Sequence, residues 1–531
     1  MYHRTPQPQR HPIESGPTLM EATVTVGLDR LSLAHVIAVA RNGARVDIAS
    51  SALEAIGRSR AHVERLAASG EPVYGVSTGF GALATRYIEP SLRRQLQHSL
   101  VRSHAAGSGP AVEPEVVRAL MLLRLATLCA GYSGVRAETA QAYAAMLNAH
   151  ITPVVPEHGS LGCSGDLAPL AHCALAITGE GDVVDASGQR RCAADALEAA
   201  GLAPIELDEK EGLALINGTD GMLGMLVLSI ADLRALVRIA DVSAAMSLEA
   251  LLGTDAVMAA DLQALRPHPG QAASARNMTR LLDGSAIMAS HRTGDRRVQD
   301  AYSLRCAPQV AGAVRDTLAH AEAVAVRELH SVIDNPVVMP DGRTESNGNF
   351  HGAPVAYVLD FLAIAAADLA SIAERRTDRM LDVHRSNGLP PFLAHDPGVD
   401  SGLMIAQYTQ ASIVSELKRL AVPASVDSIP SSAMQEDHVS MGWSAGRKLR
   451  RSVDGLARVL AIEVLAASRA LELRAPLTPA PGTAAALASV RDVVRGVGPD
   501  RYLAPEIEAV HRLVTGGSLL AEAERAVGEL E

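Results

Sequence analysis

The chain has 531 residues, of which 48% are apolar and only 3% are aromatic, and its formal net charge is -11. Alanine, leucine and valine must therefore fill the interior, which favours close-packed helices over an aromatic-rich β-sandwich. The mildly acidic balance, with no basic stripe or run, argues against nucleic acid and anionic membranes as partners.

The N-terminus, residues 1–20, is predicted to be a flexible tail. Its first 17 residues are rich in proline, histidine, glutamine and arginine and lack the apolar core of a secretory signal. No window of the chain reaches the roughly 18 uninterrupted apolar residues of a membrane-spanning helix. The five scattered cysteines contain no C-x-x-C motif and support neither disulfides nor zinc. We therefore expect a cytoplasmic protein.

Residues 21–216 mix short elements with glycine-rich loops, which predicts a smaller N-terminal domain of mixed structure. A strand and a helix are expected within residues 20–47, a loop at 72–84 and a helix at 113–129.

From about residue 217 the pattern becomes long and helical, because apolar residues recur at intervals of three and four. The fold is therefore predicted to be mainly α, with a central long-helix bundle at 217–475 and a C-terminal helical appendix at 476–531. The predicted long helices are Val310 to Leu329, Ala353 to Leu381, Ser401 to Leu420 and Gly442 to Leu473.

The tripeptide Cys163-Ser164-Gly165 is a plausible place for the backbone to condense with itself. Attack of the Gly165 amide nitrogen on the Cys163 carbonyl carbon closes a five-membered ring. Loss of two waters, one of them from the Ser164 side chain, then leaves an exocyclic methylene, which is a strong electrophile. Glycine removes the Cβ that would block the approach, and the carboxylate of Asp166 can assist the proton transfers. Taken alone, a tetrapeptide such as Cys163-Ser164-Gly165-Asp166 is more often a simple turn.

Within the longer string from Gly159 to His172, this tripeptide resembles the methylidene-imidazolone (MIO) signature of the aromatic amino acid lyases. The resemblance covers about residues 24–531 in seven ordered blocks. It implies a long-helix bundle of the fumarase/aspartase type, whose smaller N-terminal part bears an MIO formed autocatalytically from Cys163, Ser164 and Gly165. It also implies a homotetramer with shared active sites and no external cofactor.

Three glycines within residues 74–81 are typical of a mobile loop, which would let Tyr74 close over a site as part of a lid. The alternative is a glycine-rich turn with a packed tyrosine. The block resembles the first catalytic loop of the family, which implies that Tyr74 acts as the base. Because a free tyrosine titrates at about 10, this role requires surroundings that lower its pKa.

Two positions bear on the substrate. A single histidine in a helix, such as His104, is more often structural, but the resemblance assigns Ser103-His104 to substrate selection and the pair Ser-His to histidine-specific members. Glu436 is followed by Asp437 and His438, and metal binding is conceivable there, although adjacent ligands in this order match no zinc or calcium loop. The resemblance implies instead that Glu436 faces the imidazole of the substrate.

Five further residues are assigned from the same blocks. Asn217 would contact the MIO or the substrate, with an ordinary Asn-Gly turn as the alternative. Arg305 offers a fork for an α-carboxylate, although a solvated charged face is the ordinary explanation. The resemblance implies that Gln299 lines the substrate pocket, that Tyr302 assists the amine or ring chemistry, and that Phe350 packs beside the MIO.

The pair Ser103-His104 and Glu436 favour histidine as the substrate within the family. We therefore predict non-oxidative deamination of L-histidine to trans-urocanate and ammonia, the first step of histidine degradation. The sequence contains no P-loop, dinucleotide fingerprint or metal cluster. Whether the amine or the imidazole engages the electrophile stays open. A tyrosine or phenylalanine lyase, an aminomutase and a non-catalytic helical scaffold are the alternatives.

Overall fold

The computed structural model describes residues 23–69, 73, 75–79, 83, 85–295 and 297–531. Helices dominate it, and its strands are short. The α-helices are, in chain order, α1 Leu33–Ala40, α2 Ser50–Ser69, α3 Arg93–His104, α4 Pro114–Cys129, α5 Ala137–Asn148, α6 Leu167–Ile177, α7 Ala193–Ala199, α8 Glu211–Ile216, α9 Asp220–Ala250, α10 Ala260–Ala264, α11 Pro269–Leu282, α12 Ala286–Ala289, α13 Tyr302–Arg305, α14 Ala307–Leu329, α15 Ala353–Leu381, α16 Met404–Leu420, α17 Gly442–Glu472, α18 Pro481–Arg491, α19 Ala504–Thr515 and α20 Ser518–Val527.

The strands form small sheets beside the helices rather than a central layer. The strands are β1 Thr23–Val26, β2 Arg45–Ile48, β3 Ser108–Ala111, β4 Thr152–Pro153, β5 Pro156–His158, β6 Asp182–Val184, β7 Arg190–Cys192, β8 Val337–Val338 and β9 Thr344–Glu345. β1 and β2 pair in parallel. The antiparallel pairs are β3 with β5, β6 with β4, β6 with β7, and β8 with β9.

The prediction of a mainly α fold built on a long-helix bundle is confirmed. α9 and α17, each of 31 residues, pack against one another, and α15 packs against both. The helix predicted from Ala353 to Leu381 has those ends, whereas α14 begins three residues before Val310 and α16 three residues after Ser401. These differences of three residues are larger than the one or two residues by which helix ends commonly vary.

A buried ion pair lies inside the bundle. Glu463 on α17 is fully buried, where it accepts hydrogen bonds from the Arg376 guanidinium and from the hydroxyls of Ser243 and Ser247 on α9. Such pairing offsets the large desolvation cost of an ion pair in the interior. Trp443, the single tryptophan, is buried at the start of α17.

α15 is the described helix that is long and apolar enough to cross a membrane by length and composition alone, with a mean hydropathy of 1.8 in its most apolar window. However, 61% of that window is buried inside the fold. Its buried Asp360 accepts a hydrogen bond from Lys448 Nζ at 2.6 Å. α15 is therefore placed as a core helix of the bundle.

Candidate active site

The tripeptide Cys163-Ser164-Gly165 lies in the loop between β5 and α6, and glycine is required at its third position. Gly165 has a φ of +80°, and a Cβ there would stand 2.0 Å from the carbonyl oxygen of Gly218. The two glycines pair as a short parallel bridge, and the N–H of Asp166 donates to Gly218 O at 2.7 Å. The tripeptide is therefore held directly against the start of α9.

Asp166 joins the tripeptide to α9 through its carboxylate. Its Oδ1 accepts from the Ser160 hydroxyl at 2.9 Å, and its Oδ2 accepts from the N–H of Met222 at 2.8 Å. Burial raises the pKa of this carboxyl to about 7, although both hydrogen bonds lower it. A carboxyl that titrates near neutral pH, directly after Gly165, is suited to give and take protons during ring closure.

The segment that carries Glu436 is bonded to the same loop. The Ser440 hydroxyl donates to Gly162 O at 3.0 Å, and the N–H of Met441 donates to Leu161 O at 2.9 Å. The block with Phe350 lies beside them, since a Cβ on Gly352 would stand 2.8 Å from Ser440 Oγ.

Phe350 is half-buried and directly precedes His351. The His351 ring stacks on that of His438, with centroids 5.6 Å apart and an interplanar angle of 7°. Because His438 is two residues from Glu436, this stack brings the Phe350 and Glu436 blocks together.

Glu436 acts on both Cys163 and His104. The pKa of the Cys163 thiol is raised to about 12, first by burial and then by the charge of Glu436 and a hydrogen bond to it. Burial lowers the pKa of His104, opposed by a hydrogen bond to Leu100 O at 2.9 Å and by the charge of Glu436. The carboxylate itself accepts from the Ser431 hydroxyl at 3.0 Å. Glu436 is therefore near both the tripeptide and the end of α3.

Asn217 directly follows α8, one residue before Gly218, and therefore lies next to the tripeptide. Its Nδ2 donates to Asn335 O at 2.7 Å, and its own carbonyl accepts from Arg124 at 2.7 Å. Its Oδ1 is buried and has no hydrogen-bond partner among the described residues. Because an unpaired buried acceptor costs about 1–3 kcal/mol, this oxygen is suited to accept from a group bound in the site.

Gln299, Tyr302 and Arg305 form a second cluster. Arg305 Nη1 donates to Gln299 Oε1 at 2.7 Å, and the guanidinium lies over the Tyr302 ring at 4.6 Å from its centroid. α13, which contains Tyr302 and Arg305, covers only four residues and excludes Gln299. Tyr302 is 71% exposed, so the cluster faces outward from its own chain.

The cluster of Gln299, Tyr302 and Arg305 and the Cys163-Ser164-Gly165 tripeptide lie at opposite ends of α9. Met222, bonded to Asp166, is in its first turn, whereas Asp300 accepts from the N–H of Thr254 at 2.7 Å, four residues past its last residue, Ala250. A 31-residue helix spans about 45 Å. Within the described part of one chain, Gln299, Tyr302 and Arg305 are therefore not brought to the tripeptide.

Tyr74 lies outside the described residues. Its neighbour Gly75 has a φ of +76° and lies against α8 and the turn at 334–336, since a Cβ there would stand 2.9 Å from Leu213 Cδ2 and 3.4 Å from Pro336 Cδ.

The sequence patterns missed two contributors to this site. Ser440 belongs to the same segment as Glu436, but no spacing indicates that its hydroxyl holds the loop that carries the tripeptide. In the sequence, Asn335 indicates only the end of a helical segment before a proline. In the structure, its backbone oxygen accepts from the Asn217 side chain, 118 residues away.

Known proteins resemble this chain in sequence and in fold. The aromatic amino acid lyase model matches residues 31–492. Histidine ammonia-lyase from Streptomyces avermitilis is 66% identical over 509 residues, which cover 96% of this chain and 99% of the relative. Among solved structures, histidine ammonia-lyase from Trypanosoma cruzi is 38% identical with a TM-score of 0.87, over 96% of each chain. Tyrosine aminomutase from Streptomyces globisporus is 37% identical with a TM-score of 0.90, over 96% of this chain and 100% of that one. The chain belongs to the aromatic amino acid lyase family.

Proposed function

We propose that this protein is a histidine ammonia-lyase, which converts L-histidine to trans-urocanate and ammonia. The observation that carries the proposal is that the charge of Glu436 acts on the pKa of both the Cys163 thiol and the His104 imidazole, so its carboxylate is near both residues. A carboxylate there accepts the N–H of an imidazole and favours its protonated form. The rings of phenylalanine and tyrosine offer no N–H to it.

The cofactor in this proposal is an MIO made from Cys163, Ser164 and Gly165, with no external cofactor. Two features of the site fit such a group: the Cβ-free approach at Gly165, and the unpaired buried Oδ1 of Asn217 beside it. The group supplies an electrophile that activates histidine for loss of ammonia. Asp166, whose pKa is raised to about 7 by burial, moves protons while the ring forms.

The remaining residues bind and orient the substrate. His104 and Glu436 hold the imidazole, and Phe350 packs beside it. Arg305 binds the α-carboxylate with its guanidinium fork. Tyr74 removes the β-proton, a role that requires surroundings that lower the pKa of its hydroxyl.

A second chain must supply Gln299, Tyr302 and Arg305, because these residues lie about 45 Å along α9 from the tripeptide of their own chain. We therefore propose a homotetramer with shared active sites. An apolar stripe on α15 supports association, since Tyr357, Phe361 and Ile364 are 53%, 49% and 45% exposed at helical spacing.

The division into a tail at 1–20, an N-terminal domain at 21–216, a bundle at 217–475 and an appendix at 476–531 stays a prediction. The tail lies outside the described residues, which begin at residue 23. We propose the cytoplasm as the site of the reaction, with histidine as its small-molecule substrate and neither nucleic acid nor membrane as a partner.

A direct assay tests the substrate. The purified protein is incubated separately with L-histidine, L-tyrosine and L-phenylalanine, the absorbance of an unsaturated product is followed, and the products are separated by chromatography. We expect urocanate from histidine and a kcat/KM at least about 100-fold lower for the other two, because neither ring presents an N–H or a positive charge to Glu436. A β-amino acid product would assign an aminomutase instead. Preferential deamination of tyrosine or phenylalanine would also overturn the proposal.

A further inference from the structure

The turn at residues 334–336 contacts two parts of the candidate site through one residue, Asn335. The backbone oxygen of Asn335 accepts from Asn217 Nδ2 at 2.7 Å. The side-chain Oδ1 of Asn335 accepts from the N–H of Asn347 at 2.9 Å and from the Ser346 hydroxyl at 3.0 Å. Asn347 begins the loop that leads to Phe350. Asn335 therefore links the Asn217 side chain to the block that carries Phe350.

The same turn also touches the loop of Tyr74. Pro336 lies against Gly75, where a Cβ would stand 3.4 Å from Pro336 Cδ. Asn347 Nδ2 donates in addition to Asp334 O at 3.0 Å. Three separate parts of the site are thus in contact with one short turn, so the placement of this turn sets their relative positions.

A buried ion pair anchors the turn. Lys210 Nζ donates to Asp334 Oδ2 at 2.9 Å, and both side chains are fully buried. The other carboxylate oxygen of Asp334 accepts from the N–H of Asn335 at 2.7 Å. A buried ion pair is weak evidence for stability, because its desolvation cost can exceed the Coulomb attraction. Its fixed geometry is better suited to define where two segments lie.

The ion pair and the Asn217 hydrogen bond clamp both ends of α8. Lys210 directly precedes this six-residue helix and adopts a left-handed φ of +69°, and Asn217 directly follows it. One end is tied to Asp334 and the other to Asn335. A non-glycine residue in the left-handed region costs about 1–2 kcal/mol, so the surroundings must hold Lys210 there.

We propose that Lys210 and Asp334 are positioning residues, which set the orientation of the Asn217 side chain by clamping α8 against the turn at 334–336. The clamp occupies Nδ2 of Asn217 and leaves its Oδ1 free to accept from the group bound in the site. This proposal rests on the proposed function, since it concerns the lyase site.

A double-mutant cycle on kcat/KM for L-histidine tests the coupling. Asp334→Asn, Asn217→Ala and the double variant are compared, with rates normalised to the fraction of chains that are two waters lighter. We expect Asp334→Asn to lower kcat/KM about tenfold or more in the wild-type background, since small misplacements of a reacting group are costly. In the Asn217→Ala background the same change should matter by about twofold at most. Equal effects in both backgrounds would overturn the proposal.

Two further variants separate positioning from loss of stability. Lys210→Met combined with Asp334→Asn removes both charges, so no unpaired charge stays buried. We expect this variant to recover the stability lost in Asp334→Asn while the coupling to Asn217 persists. Asp241→Asn is the matched control. Asp241 is also buried, and its Oδ2 lies 2.5 Å from Arg315 Nη2, in an ion pair that is remote from the site. Coupling of Asp241→Asn to Asn217→Ala equal to that of Asp334→Asn would overturn the proposal.

Hydrogen exchange gives a readout that does not depend on turnover. We expect Asp334→Asn to speed amide exchange in peptides covering 211–223 and 344–352 together, and Asp241→Asn to speed neither. Exchange that rises in only one of these peptides would overturn the shared clamp. If the wild type does not deaminate histidine, the proposed function fails, whereas this exchange measurement still tests the clamp.

Discussion

The carbonyl oxygen of Gly218 lies 2.0 Å from the position that a Cβ on Gly165 would occupy. The next N–H along the chain, that of Asp166, donates to the same oxygen at 2.7 Å. This contact brings the third residue of the tripeptide against the backbone that follows Asn217. The tripeptide and the start of α9 can approach in this way only with glycine at position 165.

Gly165→Ala should abolish formation of the MIO. The added Cβ both meets Gly218 O and strains a residue at φ +80°, so the loop must move away from α9. We expect an intact mass without the loss of two waters and no urocanate. Gly201→Ala is the matched control, because Gly201 has a φ of +69° with no atom within 4 Å of an added Cβ. It should lose about 1 kcal/mol of stability but mature fully. Normal maturation of Gly165→Ala would contradict this account of the loop.

Glu436→Gln should weaken turnover of histidine selectively. The amide keeps the size of the side chain but loses the charge that favours a protonated imidazole, so kcat/KM for L-histidine should fall at least about tenfold. The residual rate with L-tyrosine should change little. Steady-state kinetics with both amino acids measure this difference, and Asp427→Asn, an exposed carboxylate of the same segment, serves as control. Equal losses for the two substrates would contradict the role of Glu436.

The Cys163 thiol should be inert. Burial, together with Glu436, raises its pKa to about 12, so very little thiolate is present at neutral pH. We expect iodoacetamide at pH 8 to label the exposed Cys192 and to spare Cys163, as read by peptide mass spectrometry. Cys163→Ala should keep wild-type turnover. Rapid labelling of Cys163, or a large change in kcat in the variant, would show that the thiol takes part.

Shared active sites predict complementation between inactive subunits. Under the proposal, Ser164→Ala lacks the electrophile, and Tyr302→Phe lacks a hydroxyl that would come from a neighbouring chain. Each variant alone should be nearly inactive, whereas co-expressed and co-purified subunits should regain a substantial part of wild-type turnover. That recovery requires sites that combine Ser164 of one chain with Tyr302 of another. No recovery in mixed oligomers would place both residues in the same chain's site.

Four of the long helices were predictable because apolar spacing reports burial directly. No separate helix was predicted over α9, which is buried on nearly all sides and so lacks a polar face. α15 has the predicted ends, and the strand and helix expected near the N-terminus are present as β1, α1 and β2. The 20-residue α2 was missed, because its exposed face is rich in charge and its buried face includes Arg60 and Ser59.

The site was only partly predictable. Local motifs indicate the tripeptide, His104 and Glu436, but contacts between distant segments leave no spacing signal. Asn335 reaches Asn217 across 118 positions, and Asp334 reaches Lys210 across 124. Tyr302 and the tripeptide are far apart because they lie near opposite ends of α9. No pattern within a single segment indicates at which end of a distant helix that segment packs.

The intact mass of the purified protein is the most direct test of the central claim, that the chain makes its own electrophile. We predict that the wild type is lighter than its sequence by two waters and that Ser164→Ala has the full sequence mass. A wild-type protein at its full sequence mass would contradict the account, because Ser164 would then be an ordinary serine.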